Sequence, residues 1–161
     1  MDLSRREPST PEGTPDDEIT VEPDLVRALL RQQVPQWAEL PLTTIRHSGT
    51  DHAMLRLGDD LTVRLPRVAW AVRTLELEQT WLPRIAQSLP VETPLPVAIG
   101  RPSDGYPWPW TVCRWVPGNN PVADALADPE GLAGDLAAMI LAMRALDPHG
   151  APATVWPAPL H

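Results

Sequence analysis

The chain reads as an α+β protein: a five-stranded antiparallel sheet with one packed helix, followed by a linker and a further helix. Three features of the sequence predict this. Between Leu42 and Leu65, short apolar runs alternate with turn residues at strand spacing. From Val68 onward the apolar positions switch to helical spacing. At Pro117-Gly118-Asn119-Asn120-Pro121 all regular pattern breaks, and only helical spacing follows.

Residues 1–20 mix Pro, Gly, Ser and acidic residues with almost nothing apolar to bury, which predicts a disordered acidic leader. A short helix is expected from Pro23 to Val34: Pro suits a first helical turn, Leu25, Val26, Leu29 and Leu30 form a stripe, and Pro35 ends it. Leu42–Arg46 is the first strand, Ser48–Asp51 a turn, and Ala53–Leu57 the second strand. Gly58-Asp59-Asp60 is a tight hairpin turn into Leu61–Leu65, where Leu61, Val63 and Leu65 face one way and Thr62 and Arg64 the other. A helix is expected from Val68 to Trp81, continuing or kinking at Pro83 toward Leu89. After Pro90–Pro96 comes a fourth strand, Val97–Gly100, then a turn at 102–105 and a fifth strand, Trp108–Val116. The unit 21–116 is thus one lobe and 117–127 a hinge and linker. A helical segment 128–148 follows, capped by Asp128-Pro129, with Leu132, Leu136, Met139, Ile140, Met143 and Leu146 at helical spacing. Residues 149–161 form an irregular, Pro-rich tail.

Composition narrows the function classes. The net charge of −8 is unevenly spread: residues 1–24 hold eight acids against Arg5 and Arg6, and the rest of the chain is near balance. A body without a basic stripe argues against nucleic-acid binding. No apolar run approaches the roughly 18–20 residues that cross a bilayer, and the acidic N-terminus is no signal peptide. Cys113 is the single cysteine, so no internal disulfide forms, and a cytoplasmic location is the economical reading. All thirteen basic residues are Arg, so any task usually given to Lys falls to Arg or goes unfilled.

The most informative position is Glu78. Plotted at about 100° per residue, Val72, Leu75, Leu82 and Leu89 define a buried arc that contains Glu78 but not Glu76. An inward carboxylate needs a cation, because leaving it unpaired costs several kcal/mol, and Arg64 on the preceding strand is the natural partner. His47, Asp51 and His52 could suggest a metal site, but two His in a turn without a further ligand nearby read as a turn. Cys113 reads as a small buried core residue.

The order of these elements is that of a protein-kinase-like N-lobe, and the sequence resembles the aminoglycoside phosphotransferase family in particular. The resemblance covers about residues 24–148 and rests on Ser48-Gly49-Thr50-Asp51, Val63-Arg64-Leu65-Pro66-Arg67, Glu78-Gln79-Thr80-Trp81-Leu82-Pro83, Gly105-Tyr106-Pro107-Trp108-Pro109-Trp110 and Arg114-Trp115-Val116-Pro117-Gly118. It implies an ATP- or GTP-binding lobe in which Ser48, Gly49 and Thr50 cover the phosphates. Arg64 takes the place of the phosphate-pairing Lys, Glu78 anchors it, and Thr62 roofs the adenine. Arg114, Trp115 and Val116 become the hinge, offering backbone N–H and C=O to the base, with Cys113 at the back of the pocket. The family's chemistry also needs a His-Gly-Asp-x-x-x-x-Asn loop and a second Asp for magnesium. Here His149-Gly150 continues into Ala151-Pro152-Ala153, with no Asp or Asn after it. The expectation is therefore a lobe truncated before its catalytic loop, without magnesium ligands, binding nucleotide weakly and transferring no phosphate alone. A free-standing non-catalytic module for nucleotide or a partner protein stays open, as does a degraded product with no activity. The apolar positions of 128–148 predict self-association or docking, since six exposed side chains forgo roughly 1.5–3 kcal/mol each.

Overall fold

The computed structural model describes residues 18–45, 50–118, 126–147 and 149–150. The chain divides into two compact units, one formed by Met1–Ala86 with Glu92–Asn119, the other by Gln87–Val91 with Asn120–His161.

The first unit holds the sheet. Its strands are β1 (Leu42–Thr44), β2 (His52–Leu57), β3 (Leu61–Pro66), β4 (Pro96–Gly100) and β5 (Trp110–Arg114). They lie in the order β1-β2-β3-β5-β4, antiparallel throughout. The last strand therefore inserts between the third and fourth. β2 and β3 form a hairpin whose turn requires Gly58 at φ +59°, a left-handed conformation that costs glycine nothing. Gly100 meets a different demand: a Cβ there would come within 1.9 Å of the Trp110 indole, its partner across the β4–β5 pair.

Alternation along the strands gives the sheet two unlike faces. On one lie Leu55, Leu57, Val63, Leu65, Trp110 and Val112, all buried. Helix α1 (Pro23–Gln33) covers this face with Val26, Leu29 and Leu30, the expected stripe with Leu25 only half-buried. Arg27 donates to the Ala38 and Leu40 carbonyls, the latter at 2.7 Å, and so ties the chain after α1 to the helix. Tyr106 closes one end of this core, its hydroxyl donating to the Pro66 carbonyl at 2.7 Å.

The opposite face carries His52, Thr62, Arg64, Thr111 and Cys113, and helix α2 (Ala69–Ile85) packs there. Pro83 lies inside α2, and the helix runs past it to Ile85 before a short 3-10 turn, Ala86–Ser88. The buried arc is shifted from the expected one: Ala71 and Leu75 are buried, whereas Val72 and Leu82 are half-buried and Leu89 lies beyond the helix.

The leader expected over 1–20 is shorter at its C-terminal end. Glu18 pairs with Arg67, the Ile19 N–H donates to the Arg67 carbonyl at 2.7 Å, and Ile19 packs on the core. Apolar burial of Ile19 accounts for this. Residues 1–17, the linker segment 119–125 and the tail segment 151–161 lie outside the described residues.

In the second unit, α3 (Pro129–Ala145) starts as expected: the Asp128 side chain accepts from the Gly131 N–H at 2.9 Å. Leu136, Ile140, Leu141 and Met143 of α3 are each more than half exposed. No helix among the described residues is long and apolar enough to cross a membrane.

Candidate nucleotide-facing site

Arg64 and Glu78 meet on the α2 face of the sheet. The register of β3 points Arg64 away from the α1 core, and one turn of α2 beyond Leu75 brings Glu78 opposite it. Arg64 Nη1 donates to Glu78 Oε2, and Nη2 lies 3.5 Å from Oε1, a two-point engagement of guanidinium and carboxylate. The pair is half-buried, with side-chain exposures of 18% and 36%. That is wet enough to avoid the full desolvation penalty of an interior ion pair, and dry enough for the geometry to hold. Arg64 Nε is buried and has no partner among the described residues, and the contact with Glu78 engages only one of the two N–H groups on each terminal nitrogen.

Around the pair a small cleft is lined by Leu75, Gln79, Leu82, Pro94, Pro96, Thr111 and Cys113 as well as Arg64 and Glu78. Cys113 is 5% exposed. Burial pushes its thiol up to about 11, with Arg64 pulling down and Glu78 pushing up, so the thiolate is scarce at neutral pH. Thr62 faces the same way, buried beside its β5 partner Cys113.

Three residues that the sequence reading did not assign to a site belong to this face. Gln79 Nε2 donates to Thr111 Oγ1, and Thr111 is the cross-strand partner of Arg64. His52, weighed only as a turn residue, is 8% exposed with its Nε2 unpartnered among the described residues. Burial lowers the His52 pKa, Arg64 lowers it further, and Glu78, Asp51 and the Ala71 backbone oppose. The sequence signal for Thr111 was a polar residue in register with Cys113 on an otherwise apolar strand.

The other expected site residues are placed as follows. Ser48 and Gly49 lie outside the described residues. Thr50 is exposed, its hydroxyl donating to Asp51 Oδ1 at 2.7 Å. At the expected hinge residues, two backbone N–H groups are already engaged. The Arg114 N–H donates to the Leu95 carbonyl and the Trp115 N–H to the Asp60 carbonyl, both at 2.8 Å. Only the Val116 N–H of the three lacks a backbone partner among the described residues. The physical reason is that β5 is an inner strand, so its pairing extends past its last residue on both sides. The Trp115 ring is likewise engaged, with the Arg56 guanidinium 3.9 Å from its centroid. Among the described residues no cluster of His, Cys, Asp or Glu is suited to a metal ion.

A five-stranded antiparallel sheet, a helix carrying an inward Glu and a strand Arg paired to it define a protein-kinase-like N-lobe. Comparison with known proteins agrees: the model of the phosphotransferase enzyme family matches residues 42–160, and the chain belongs to that family. Among solved structures, it is similar to the GDP complex of wild-type aminoglycoside 2′-phosphotransferase-IIIa at 22% identity and TM-score 0.68, over 77% of this chain and 42% of that one. A GDP complex of a mutant of that enzyme gives 23% identity and TM-score 0.71, over 81% and 45%. The streptomycin–ATP ternary complex of APH(2″)-IIa gives 15% and 0.57, over 80% and 41%. The chain therefore spans about two-fifths of the length of these structures. No curated protein matches.

Proposed function

We propose that the first unit is the nucleotide-binding lobe of a small-molecule phosphotransferase, and that Arg64 holds the nucleotide's phosphates while Glu78 holds Arg64. The observation that carries this reading is the half-buried Arg64–Glu78 pair, in which the carboxylate engages only two of the five guanidinium N–H groups. A carboxylate fixes the guanidinium in one orientation, and the second N–H on each terminal nitrogen stays free to meet a phosphate oxygen. In the structures it resembles, the bound nucleotides are GDP or ATP. The shared fold gives those complexes relevance to this chain, and ATP or GTP is the expected ligand. On this reading Thr62 roofs the base, Thr50 with Ser48 and Gly49 covers the phosphates, and the Val116 N–H is the hinge donor left for the base edge.

Residues 1–161 contain no His-Gly-Asp-x-x-x-x-Asn word, since Ala151 follows His149-Gly150. We read this chain by itself as binding without transfer, because the positioned Asp and the metal ligands that phosphoryl transfer needs are absent from it. Titration of the full chain with ATP and with GTP, followed by thermal shift, tests the reading. Weak saturable stabilisation that Arg64→Ala abolishes is the expected result. An equal shift in wild type and variant would refute it, and so would phosphate transfer to an aminoglycoside by this chain.

A further inference from the structure

Helix α2 is fastened to the sheet by two polar contacts from consecutive residues. Glu78 reaches β3 at Arg64, and Gln79 reaches β5 at Thr111. Arg64 and Thr111 are themselves cross-strand partners, so the four residues close a loop: helix, β3, β5 and helix again. Adjacent helix positions point about 100° apart, and two anchors at that angle fix the rotation of the helix about its axis as well as its distance from the sheet. One anchor alone would fix that rotation less firmly, since the buried Ala71 and Leu75 pack without directional contacts.

The backbone makes this restraint more necessary here than elsewhere along α2. Pro83 lies four residues after Gln79 and has no N–H to give the Gln79 carbonyl, so the helical ladder is interrupted at the turn that carries Glu78 and Gln79. Thr111 in turn is 1% exposed, and Gln79 is the side chain that hydrogen-bonds to its hydroxyl.

We propose that Gln79 is a positioning residue for Arg64: through Thr111 it fixes the roll of α2, so that Glu78 presents its carboxylate to the guanidinium in the two-point arrangement. The functional consequence rests on the reading of Arg64 as the phosphate-binding group. The mechanical claim does not, because it concerns how one contact on the helix sets the geometry of the next.

Two measurements on the full chain test it, with Gln79→Leu, Thr111→Val and Thr111→Ser as variants. Valine keeps the shape of threonine and removes the oxygen, while serine keeps the oxygen, so misfolding is separated from loss of the bond. By calorimetry with ATP, Gln79→Leu and Thr111→Val should weaken binding about fivefold or more, and Thr111→Ser should bind as wild type. If serine and valine behave alike, or if neither Gln79→Leu nor Thr111→Val changes affinity, the proposal is overturned. The second measurement needs no ligand: urea unfolding of Gln79→Leu, Glu78→Gln and the double variant. Coupling should appear as an unfolding constant for the double variant that departs by about twofold or more from the product of the single effects. Independent effects would show that Gln79 merely adds stability, and would overturn the proposal. Should wild type bind neither ATP nor GTP, the nucleotide reading fails, and the unfolding cycle alone decides whether Gln79 positions Arg64.

Discussion

The two faces of one sheet are held by different physics. On the α1 face, Val26, Leu29 and Leu30 meet Leu55, Leu57, Val63, Leu65 and Val112, and nothing but carbon is exchanged across most of the contact. On the α2 face, the same strands present His52, Thr62, Arg64, Thr111 and Cys113, and the helix is attached through Glu78 and Gln79. Apolar packing is proportional to area and indifferent to small rotations. A salt bridge and a hydrogen bond contribute less and fix direction more. The lobe therefore keeps its stability on one side and its oriented chemistry on the other, and substitutions should separate the two.

The largest expected effect is on the apolar side. Leu30 is fully buried, and Leu30→Ala should cost about 2–5 kcal/mol in chemical denaturation through lost transfer energy and the cavity left behind. Gly100→Ala should cost at least about 1–3 kcal/mol, because the new methyl would sit within 1.9 Å of the Trp110 ring and the indole or the strand must shift. Neither variant should change nucleotide affinity while folded. A loss of affinity in folded Leu30→Ala would show that the two faces are not separable.

On the polar side the order of effects reverses. Glu78→Gln should cost only about 1–2 kcal/mol of stability, since the pair is partly hydrated, yet remove most of the nucleotide response. Replacing both partners, as in Arg64→Leu with Glu78→Leu, should restore stability close to wild type without restoring binding. If the double replacement bound nucleotide, the guanidinium could not be the phosphate-holding group.

Much of this division could be read from the sequence. The alternation Leu61, Val63, Leu65 against Thr62, Arg64 separates the faces of β3, the spacing of Val26, Leu29 and Leu30 marks the inner side of α1, and the position of Glu78 on the wheel points to Arg64. These are local patterns, set by strand and helix periods. What could not be read depends on which strands become neighbours. Thr111 is polar for a reason only once β5 lies beside β3, and Gly100 is small for a reason only once β4 lies beside Trp110. The Trp115 N–H turned out to be engaged because Asp60, in the β2–β3 turn, is brought alongside by the same insertion of β5. Ala71 is buried and Val72 only half-buried because which side of α2 faces the sheet is set by tertiary contacts, which a wheel weighted by the larger side chains does not contain.

His52 gives the polar face a pH dependence that the apolar face lacks. Its folded pKa is lowered from 6.5 by burial and by Arg64, so the unfolded chain takes up a proton at a pH where the folded chain does not. The stability due to neutral His52 is complete above 6.5 and is lost as the pH falls from there toward the lowered value. Thermal unfolding between pH about 7.5 and about 5.5 should therefore show a steeper loss for wild type than for His52→Leu. Parallel curves would mean that His52 titrates alike in both states.

The smallest effect is the finest probe of the contrast. Cys113 lies under α2 beside Thr62, 5% exposed, with its thiol held up to about 11. In the closed lobe it should resist a thiol reagent at neutral pH, both for want of thiolate and for want of access. If α2 is attached mainly by two directional contacts, it should open more often than the whole lobe unfolds, in the manner of a sub-global unit. Labelling of Cys113 should then run faster than global unfolding allows, and faster still in Thr111→Val, while amide exchange at Leu29 and Leu30 of α1 stays at the global rate. Labelling that tracks global unfolding in both proteins would mean that the two helices come away together, and that the polar face is held as cooperatively as the apolar one.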